Sequence, residues 1–365
     1  MILQKFEKPI YITKPLLPDI KDFKKNIEDI WESCILTNRG KHEILLEEEL
    51  KKYLCVNNIS LFNNGTTAII VAIKSLGLSG EIITPVFNFP AAPNSISWCG
   101  ISPVFCDIEE DTCNIDINKI ESLITDKTTA ILPVHVFGNP CNIDTIQSIA
   151  RKYSLRVLYD ASHTFGVKIN DIGIGTFGDM STFSFHATKT FNTFEGGAIS
   201  FNDGEYIDKL YLLKNFGIDN VLQVKLCGIN GKINEIQSLM GRLVLKLVDS
   251  AIEKRKRLYD IYFNELSINP LIKFLNKEKE VLHNYQYMPI KIIRDRDVVY
   301  DVLKEFNVFS RKYFYPLCSN YPFFNCKEKF PVAEKISEQI LTLPIYSDLE
   351  EESVYKICKI INNIL

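Results

Sequence analysis

Between residues 59 and 160, short apolar runs alternate with stretches that have the spacing of buried helices. Along the chain these segments are Ile59–Phe62, Ala68–Leu76, Glu81–Thr84, Pro103–Cys106, Ala130–Phe137, Ile146–Tyr153 and Arg156–Tyr159. Such alternation is typical of an α/β domain built on a largely parallel sheet. Ligands of these sheets bind where the strands end, and Asn63, His135 and Asp160 fall at or near predicted strand ends.

The regions on either side have a different pattern. Residues 19–54 are predicted to be helical, and mixed three- and four-residue apolar spacing predicts one long helix over residues 241–266. Further on, we predict strands at Tyr285–Ile293 and Ser310–Phe314, and helices at Arg296–Phe306 and Glu350–Leu365. We therefore expect a large domain over residues 1–250 and a smaller α+β domain over residues 251–365.

Composition and charge limit the possible partners. The chain has 365 residues, of which 46% are hydrophobic, so it can bury a substantial core. Its 42 Lys and Arg residues nearly balance its 45 Asp and Glu residues, which gives no electrostatic reason to expect binding to nucleic acid or to a membrane. No apolar run is long enough to span a bilayer. The basic cluster Lys254–Arg257 is predicted to be a solvated helix face.

The cysteines indicate the compartment. The ten cysteines occur singly, without a Cys-x-x-Cys pair or a histidine at metal-ligand spacing, so we expect reduced thiols and no metal site. Residues 1–8 lack the apolar core of a signal peptide. We therefore expect a cytoplasmic protein.

Two residues point to a specific chemistry. Lys189 follows the β-type run Thr182–Phe185 and precedes the turn Glu195–Gly197, while Asp160 ends an apolar strand. A lysine amine can form a Schiff base with an aldehyde cofactor, and a buried carboxylate can keep the cofactor's ring nitrogen protonated. The pair predicts a pyridoxal 5'-phosphate enzyme in which Lys189 also moves protons. The alternatives are a solvated surface lysine and an aspartate that caps the next segment.

Other segments could complete such a site. The glycine turn Asn63–Thr67 opens an apolar helix, where free N–H groups can bind a phosphate, although the same residues also cap ordinary helices. His163 could hydrogen-bond the cofactor's hydroxyl or cover its ring, and Phe89 could stack on the ring; both could equally fill core positions. Asn230 lies in a polar loop before an apolar helix, which it could simply cap.

Nine segments, in this order along the chain, resemble the sugar aminotransferases of the DegT/DnrJ/StrS family. They are Leu36–Gly40, Asn64–Thr66, Pro133–Gly138, Asp160–His163, Ser184–Gly197, Lys214–Gly217, Gly228–Gln237, Arg311–Pro316 and Leu343–Tyr346. The resemblance covers nearly the whole chain. It implies the fold-type-I architecture of pyridoxal-phosphate enzymes, with a mostly parallel central sheet flanked by helices and a smaller C-terminal α+β domain.

The resemblance also implies roles for the residues that match. The cofactor would be held by Lys189, Asp160, His163, Gly65, Thr66, Ser184 and Phe89, with Lys189, Asp160 and His163 also taking part in catalysis. His163 stands where many members have glutamine. In a homodimer with shared active sites, Asn230 would reach the phosphate of the neighbouring subunit, and the segment Leu36–Gly40 would complete the partner's site.

The implied substrates are a nucleotide-linked keto sugar and glutamate. Substrate contacts are expected from Thr37, His186, Tyr313 and Tyr315, although the two tyrosines could be core residues. The segments Tyr159–Val167 and His186–Gly197 resemble most a subgroup that aminates carbon 4 of dTDP-4-keto-6-deoxy-D-glucose for bacterial surface polysaccharide.

Several alternatives remain at this point. They are amination at carbon 3, another dTDP-, GDP- or UDP-keto-sugar, a dehydratase, and a non-catalytic cofactor-binding protein. Dehydratases of the family have histidine in place of the lysine, so Lys189 favours transamination.

Overall fold

The computed structural model describes residues 4–220, 223–276 and 280–365. Its central sheet has seven strands, all within residues 58–201. Residues 1–3, part of the stretch without a signal-peptide core, lie outside the described residues. The strands are β1 (Ile10–Tyr11), β2 (Asn58–Phe62), β3 (Glu81–Pro85), β4 (Ser102–Cys106), β5 (Thr128–Ile131), β6 (Arg156–Asp160), β7 (Lys168–Ile169), β8 (Ile172–Gly173), β9 (Met180–Ser184), β10 (Gly197–Phe201), β11 (Ile218–Asn220), β12 (Gln223–Val224), β13 (Ile272–Phe274), β14 (Val281–Leu282), β15 (Met288–Ile292), β16 (Val308–Phe309) and β17 (Ile340–Leu343). The helices are α1 (Ile20–Ser33), α2 (Lys41–Leu54), α3 (Gly65–Ser75), α4 (Ala91–Trp98), α5 (Ile117–Ile120), α6 (Ile143–Tyr153), α7 (Tyr206–Lys214), α8 (Glu235–Leu245), α9 (Val248–Leu266), α10 (Arg296–Glu305), α11 (Pro331–Gln339) and α12 (Glu351–Ile364).

The central sheet has the strand order β2-β10-β9-β6-β5-β3-β4. Only β10 runs antiparallel to its neighbours within this sheet, so the predicted α/β fold with a mostly parallel sheet is confirmed. Because β10 opposes both β2 and β9, those two strands and β6 point in the same direction. Their carboxyl ends therefore lie along one edge of the sheet, which is where ligands bind in such folds.

Burial on both faces explains the apolar sequences of the central strands. In β6, Val157, Leu158 and Tyr159 are successive residues and all are fully buried. Such continuous burial is expected where helices cover both faces of a parallel sheet. Helix α3 is also apolar around much of its circumference, because it packs against β9 and β10 and against helices α4 and α7.

Two predicted helical regions are interrupted. The region 19–54 forms α1 and α2, which are separated by the segment Cys34–Gly40. The predicted long helix 241–266 is wrong as a single element, because α8 ends at Leu245 and α9 starts at Val248. Met240 and Val244 of α8 share one apolar cluster with Val248 of α9, whereas α9 from Leu258 onward packs in the C-terminal core. The sequence has no glycine or proline at the junction that could have indicated the break.

The C-terminal part has its own core. The antiparallel sheet β13-β15-β17 packs with α9, α10 and α12, as expected for an α+β unit. The prediction of a strand over Ser310–Phe314 is wrong, because only Arg311 pairs there, in a single bridge to Thr342. The N-terminal strand β1 pairs with β16, so the first described residues contact this part of the fold. The division of the chain at residue 250 stays a prediction.

Candidate active site

A cavity of about 500 Å³ opens at the edge of the sheet where β2, β6 and β9 end. Asp160 is the last residue of β6, Ser184 is the last residue of β9, and Gly65 begins α3 shortly after β2. Further lining residues come from distant parts of the chain, including Thr13 of the N-terminal segment and Tyr287 just before β15. The fold thus gathers polar side chains at one edge of the sheet.

Lys189 lies in the loop after β9 and is half-buried. The loop is fixed on both sides of the lysine: the Lys189 N–H donates to the His186 carbonyl at 2.9 Å, and Thr190 donates to the Gln286 side chain through its N–H and its hydroxyl, both at 3.1 Å. The Lys189 amine donates to the Tyr287 hydroxyl at 3.3 Å. Lys189 is therefore held at the cavity wall, which argues against an ordinary surface lysine.

Asp160 is only 5% exposed and lines the same cavity. Its carboxylate accepts a hydrogen bond from the Ser162 N–H at 3.0 Å. Burial raises the pKa of Asp160, while hydrogen bonding by Ser162 and the charge of Lys189 lower it. The residues after Asp160 form turns, not a helix, so the helix-cap alternative does not apply. A buried carboxylate at a cavity wall suits a cationic partner.

His163 is 4% exposed and lies among aromatic rings. Its ring is edge-on to Tyr287 at 4.8 Å and stacked with Phe314 at 6.3 Å. Nδ1 accepts from the Phe137 N–H at 3.3 Å, which assigns the ring proton to Nε2. Burial, Lys189 and His135 together place the pKa of His163 well below its usual value, so the ring is neutral and can donate through Nε2.

The first turn of α3 approaches Ser184 closely. Asn64 caps the helix by accepting from the Thr67 N–H at 2.8 Å. A Cβ atom on Gly65 would meet the Ser184 Cβ at 2.9 Å, so only glycine fits there without a shift. The N–H groups of a first helical turn have no partners within the helix and favour anions. Gly65, Thr66 and Ser184 therefore form a suitable cradle for a phosphate.

Three further predicted residues line the cavity, namely Phe89, His186 and Tyr313. Phe89 is 54% exposed, which leaves its ring accessible for stacking. His186 accepts from the Thr188 N–H through Nδ1 at 3.2 Å, and its Nε2 lies 3.4 Å from a carboxylate oxygen of Glu195. Burial raises the pKa of Tyr313, so its hydroxyl is neutral.

The remaining three predicted residues, Thr37, Asn230 and Tyr315, do not line the cavity. Thr37 lies between α1 and α2, and Tyr315 lines an adjoining surface groove. Asn230 is exposed and does not cap α8, because Asn234 does so by accepting from the Gln237 N–H at 2.9 Å. Within one subunit, then, Thr37 and Asn230 are not part of this site.

Sequence reasoning missed several cavity residues. Tyr11 and Thr13 reach the site because β1 pairs with β16, and Tyr287 and Arg311 come from the C-terminal part. All four depend on contacts between residues distant in sequence, for which a local pattern gives no signal. The resemblance of Arg311–Pro316 to a family segment was the one indication available for Arg311.

The expectation of a solvated face at Lys254–Arg257 is wrong for Arg255, which is 2% exposed. Its guanidinium donates to the Gln286 carbonyl at 3.3 Å and to the Ile345 carbonyl at 2.9 Å. Burial lowers the pKa of Arg255 to about 10. Since the Gln286 side chain accepts from Thr190, Arg255 supports the loop that carries Lys189.

These observations fit pyridoxal phosphate: an amine and a buried carboxylate share a cavity with an anion-binding helix terminus. Among the described residues, no group of His, Cys, Asp and Glu side chains is arranged to hold a metal ion. In the same part of the chain, no helix combines the length and hydrophobicity needed to cross a bilayer. The fold and the cavity define a pyridoxal-phosphate-dependent aminotransferase of fold type I.

Comparison with known proteins identifies the family. The chain belongs to the DegT/DnrJ/EryC1/StrS aminotransferase family, which matches residues 18–362. It is 42% identical to a dTDP-4-amino-4,6-dideoxy-D-glucose transaminase of Escherichia coli, over 97% of this chain and 98% of that enzyme. A transaminase of the same name from Shigella dysenteriae is 40% identical, over 98% of this chain and all of that enzyme.

A solved structure supports the same conclusion. The structure of DesI in the presence of its TDP-sugar product has a TM-score of 0.94 and 29% sequence identity, and the match covers 99% of this chain and 94% of that chain. The fold-type-I architecture and the dependence on pyridoxal phosphate, both predicted from the sequence, are confirmed. The chain is therefore a sugar aminotransferase.

Proposed function

We propose that this enzyme transfers the amino group of L-glutamate to carbon 4 of dTDP-4-keto-6-deoxy-D-glucose. The products would be dTDP-4-amino-4,6-dideoxy-D-glucose and 2-oxoglutarate. The observation that carries the proposal is the identity of 42% and 40%, over nearly full length, to two transaminases named for this product. GDP-perosamine synthases are also similar, but at 30% identity, so a GDP-sugar is the weaker candidate.

Lys189 and Asp160 are the residues that we assign to the chemistry. Pyridoxal phosphate, when bound, supplies an electron sink and carries the amino group from the donor to the acceptor. Asp160 would pair with the cofactor's ring nitrogen, because its carboxylate is buried, burial raises its pKa, and none of the described residues forms an ion pair with it. Lys189 would hold the cofactor and then move protons at the reacting carbon.

His163 and the start of α3 would orient the cofactor. Because Nδ1 of His163 accepts from Phe137, its Nε2–H is free to donate to the cofactor's ring hydroxyl. Gly65, Thr66 and Ser184 would bind the phosphate at the helix terminus. The exposed ring of Phe89 would cover one face of the cofactor.

A shared site in a homodimer accounts for the predicted residues that lie outside the cavity. Asn230 is exposed and would reach the phosphate of the other subunit, while Thr37 would contact the substrate there. Beside Thr37, the side chains of Trp31, Ile35 and Leu36 are at least half exposed. Exposed large apolar side chains that lie close together in sequence favour an interface, and the occupant we propose is a second copy of this chain.

Mixing two inactive variants tests the shared site. Lys189→Ala removes the amine of one site, and Asn230→Ala removes the residue that reaches the other. Hybrid dimers should regain part of the activity, because one of their two sites carries neither change. Each variant incubated alone is the control. No recovery in mixtures that contain hybrid dimers, or a fully active monomer by ultracentrifugation, would contradict the proposal.

The substrate is tested by product analysis. Enzyme, glutamate and dTDP-4-keto-6-deoxy-D-glucose should yield a 4-amino sugar by NMR, with 2-oxoglutarate formed in equal amount. A product aminated at carbon 3, or turnover only with a GDP- or UDP-linked keto sugar, would overturn the substrate assignment. We further propose that the enzyme acts in the cytoplasm in making bacterial surface polysaccharide such as the O antigen of lipopolysaccharide. A strain lacking the gene should then lose this amino sugar from its surface polysaccharide.

A further inference from the structure

A groove on the protein surface adjoins the cavity. The groove has a volume of about 410 Å³ and is lined in part by Pro90, Tyr300, Lys312 and Tyr315. Four residues line both spaces: Phe89, Arg311, Tyr313 and Phe314. A ligand longer than a single sugar can therefore extend from the cavity into the groove past these four residues.

Arg311 is the charged residue at this junction. Its backbone is fixed, because the Arg311 N–H donates to the Thr342 carbonyl at 3.0 Å and the Thr342 N–H donates to the Arg311 carbonyl at 2.8 Å. Its guanidinium lies 5.7 Å from the centre of the Tyr313 ring and donates to the Tyr313 hydroxyl at 3.4 Å. The side chain is thus held in place by Tyr313.

The charges around the cavity leave Arg311 available for an anion. Within residues 4–220, 223–276 and 280–365, no carboxylate lies within ion-pair distance of its guanidinium. The neighbouring cation Lys312 is engaged, since its amine lies 2.7 Å from Asp297. In the cavity, the Lys189 amine bonds to Tyr287. An arginine fork presents several N–H donors in a plane and matches phosphate oxygens in pairs.

We propose that Arg311 binds the diphosphate of the nucleotide sugar where the cavity meets the groove. The inference rests on the proposed nucleotide-sugar activity. The sugar ring must lie in the cavity near Lys189, and the nucleoside is too large to share that space, so it extends along the groove past Tyr315. The diphosphate then falls at the junction, beside Arg311. A carboxylate of the amino donor presents similar oxygens, but the donor is small and can fit within the cavity.

Binding measurements on the holoenzyme test this assignment. Calorimetry with dTDP should give a dissociation constant that rises about 10- to 100-fold in Arg311→Gln, the range expected for losing charge-assisted hydrogen bonds. Arg311→Lys, which keeps the charge but not the fork, should lose less. Thymidine, which has no phosphate, should bind the variants and the wild type equally. Arg294→Gln is the matched control, because Arg294 is exposed and lines neither space.

Each alternative outcome has a distinct result. Unchanged dTDP binding in Arg311→Gln would overturn the proposal. If the variant also bound glutarate, a dicarboxylate analogue of the donor, more weakly than the wild type does, Arg311 would be assigned to the amino donor instead. Equal weakening of dTDP and thymidine, or a lowered melting temperature in both Arg311 variants, would show a general distortion and would also overturn it. If the wild type binds GDP or UDP but not dTDP, the proposed substrate fails, and the Arg311 comparison is made with the nucleotide that binds.

Discussion

Replacing Gly65 with alanine tests the contact between the start of α3 and the end of β9. The new Cβ would lie 2.9 Å from the Cβ of Ser184 and 3.2 Å from its Cα, so the clash involves backbone and cannot be relieved by rotating a side chain. Overpacking of this kind costs about 1–3 kcal/mol. We expect the helix to shift away from Ser184 in the cofactor-free variant, whereas a phosphate that contacts both the helix terminus and Ser184 requires the close approach. The cost should therefore appear in cofactor binding.

We expect Gly65→Ala to weaken pyridoxal-phosphate binding by about 5- to 150-fold, the equivalent of that energy. The assay is a titration of the cofactor-free protein, followed by the cofactor's absorbance. Gly204→Ala is the matched control, because the nearest atom to its new Cβ lies 3.9 Å away. Wild-type affinity in Gly65→Ala, with the fold intact by circular dichroism, would refute the phosphate cradle.

Three further predictions concern groups in the cavity. Lys189→Ala should lower the turnover number by far more than tenfold in a coupled transamination assay. A loss of tenfold or less, which equals about 1.4 kcal/mol of activation barrier, would contradict its catalytic role. Burial raises the pKa of Asp160 above 3.8, so ionisation of Asp160 destabilises the cofactor-free fold as the pH rises through that raised pKa. The cofactor-free Asp160→Asn variant should therefore have a higher melting temperature than the cofactor-free wild type at pH 7, and this difference should disappear below about pH 3.8. A difference in melting temperature that does not change with pH would contradict this prediction. Tyr287→Phe removes the acceptor of the Lys189 amine and should slow the donor half-reaction about 2- to 10-fold in stopped-flow measurements, with cofactor affinity unchanged; an unchanged rate would argue against positioning by Tyr287.

Local patterns predicted the parts of the fold and site that depend on local chemistry. The apolar run before Asp160 and the glycine turn at Gly65 each indicated a strand end or a helix start, and the structure brings both to one cavity. The same logic placed Lys189 after a strand. The strand end and the helix start were predictable because a buried parallel strand requires a continuous apolar run and because Asn, Gly and Thr favour the start of a helix.

The parts that the sequence did not predict depend on long-range contacts. Arg255 sits in a basic cluster on a helix and its neighbours are solvated, yet its own side chain points into the fold and binds two carbonyls. Tyr287 gains its place by packing against His163, which is far away in sequence. The break between α8 and α9 had no local signal either, because neither Lys246 nor Leu247 is a typical helix breaker. Helix α9 shares a cluster with α8 at Val248 and joins the C-terminal core only from Leu258 onward.

Lys189 is proposed to carry the cofactor in the cavity beside Asp160. The most direct test is borohydride reduction of the protein loaded with pyridoxal phosphate, followed by proteolysis and mass spectrometry. Reduction converts a lysine-bound cofactor into a stable secondary amine on that residue. We predict one labelled peptide, which contains Lys189, and no label in Lys189→Ala. A label on another lysine, or none on wild-type protein that shows the cofactor's absorbance, would contradict the account.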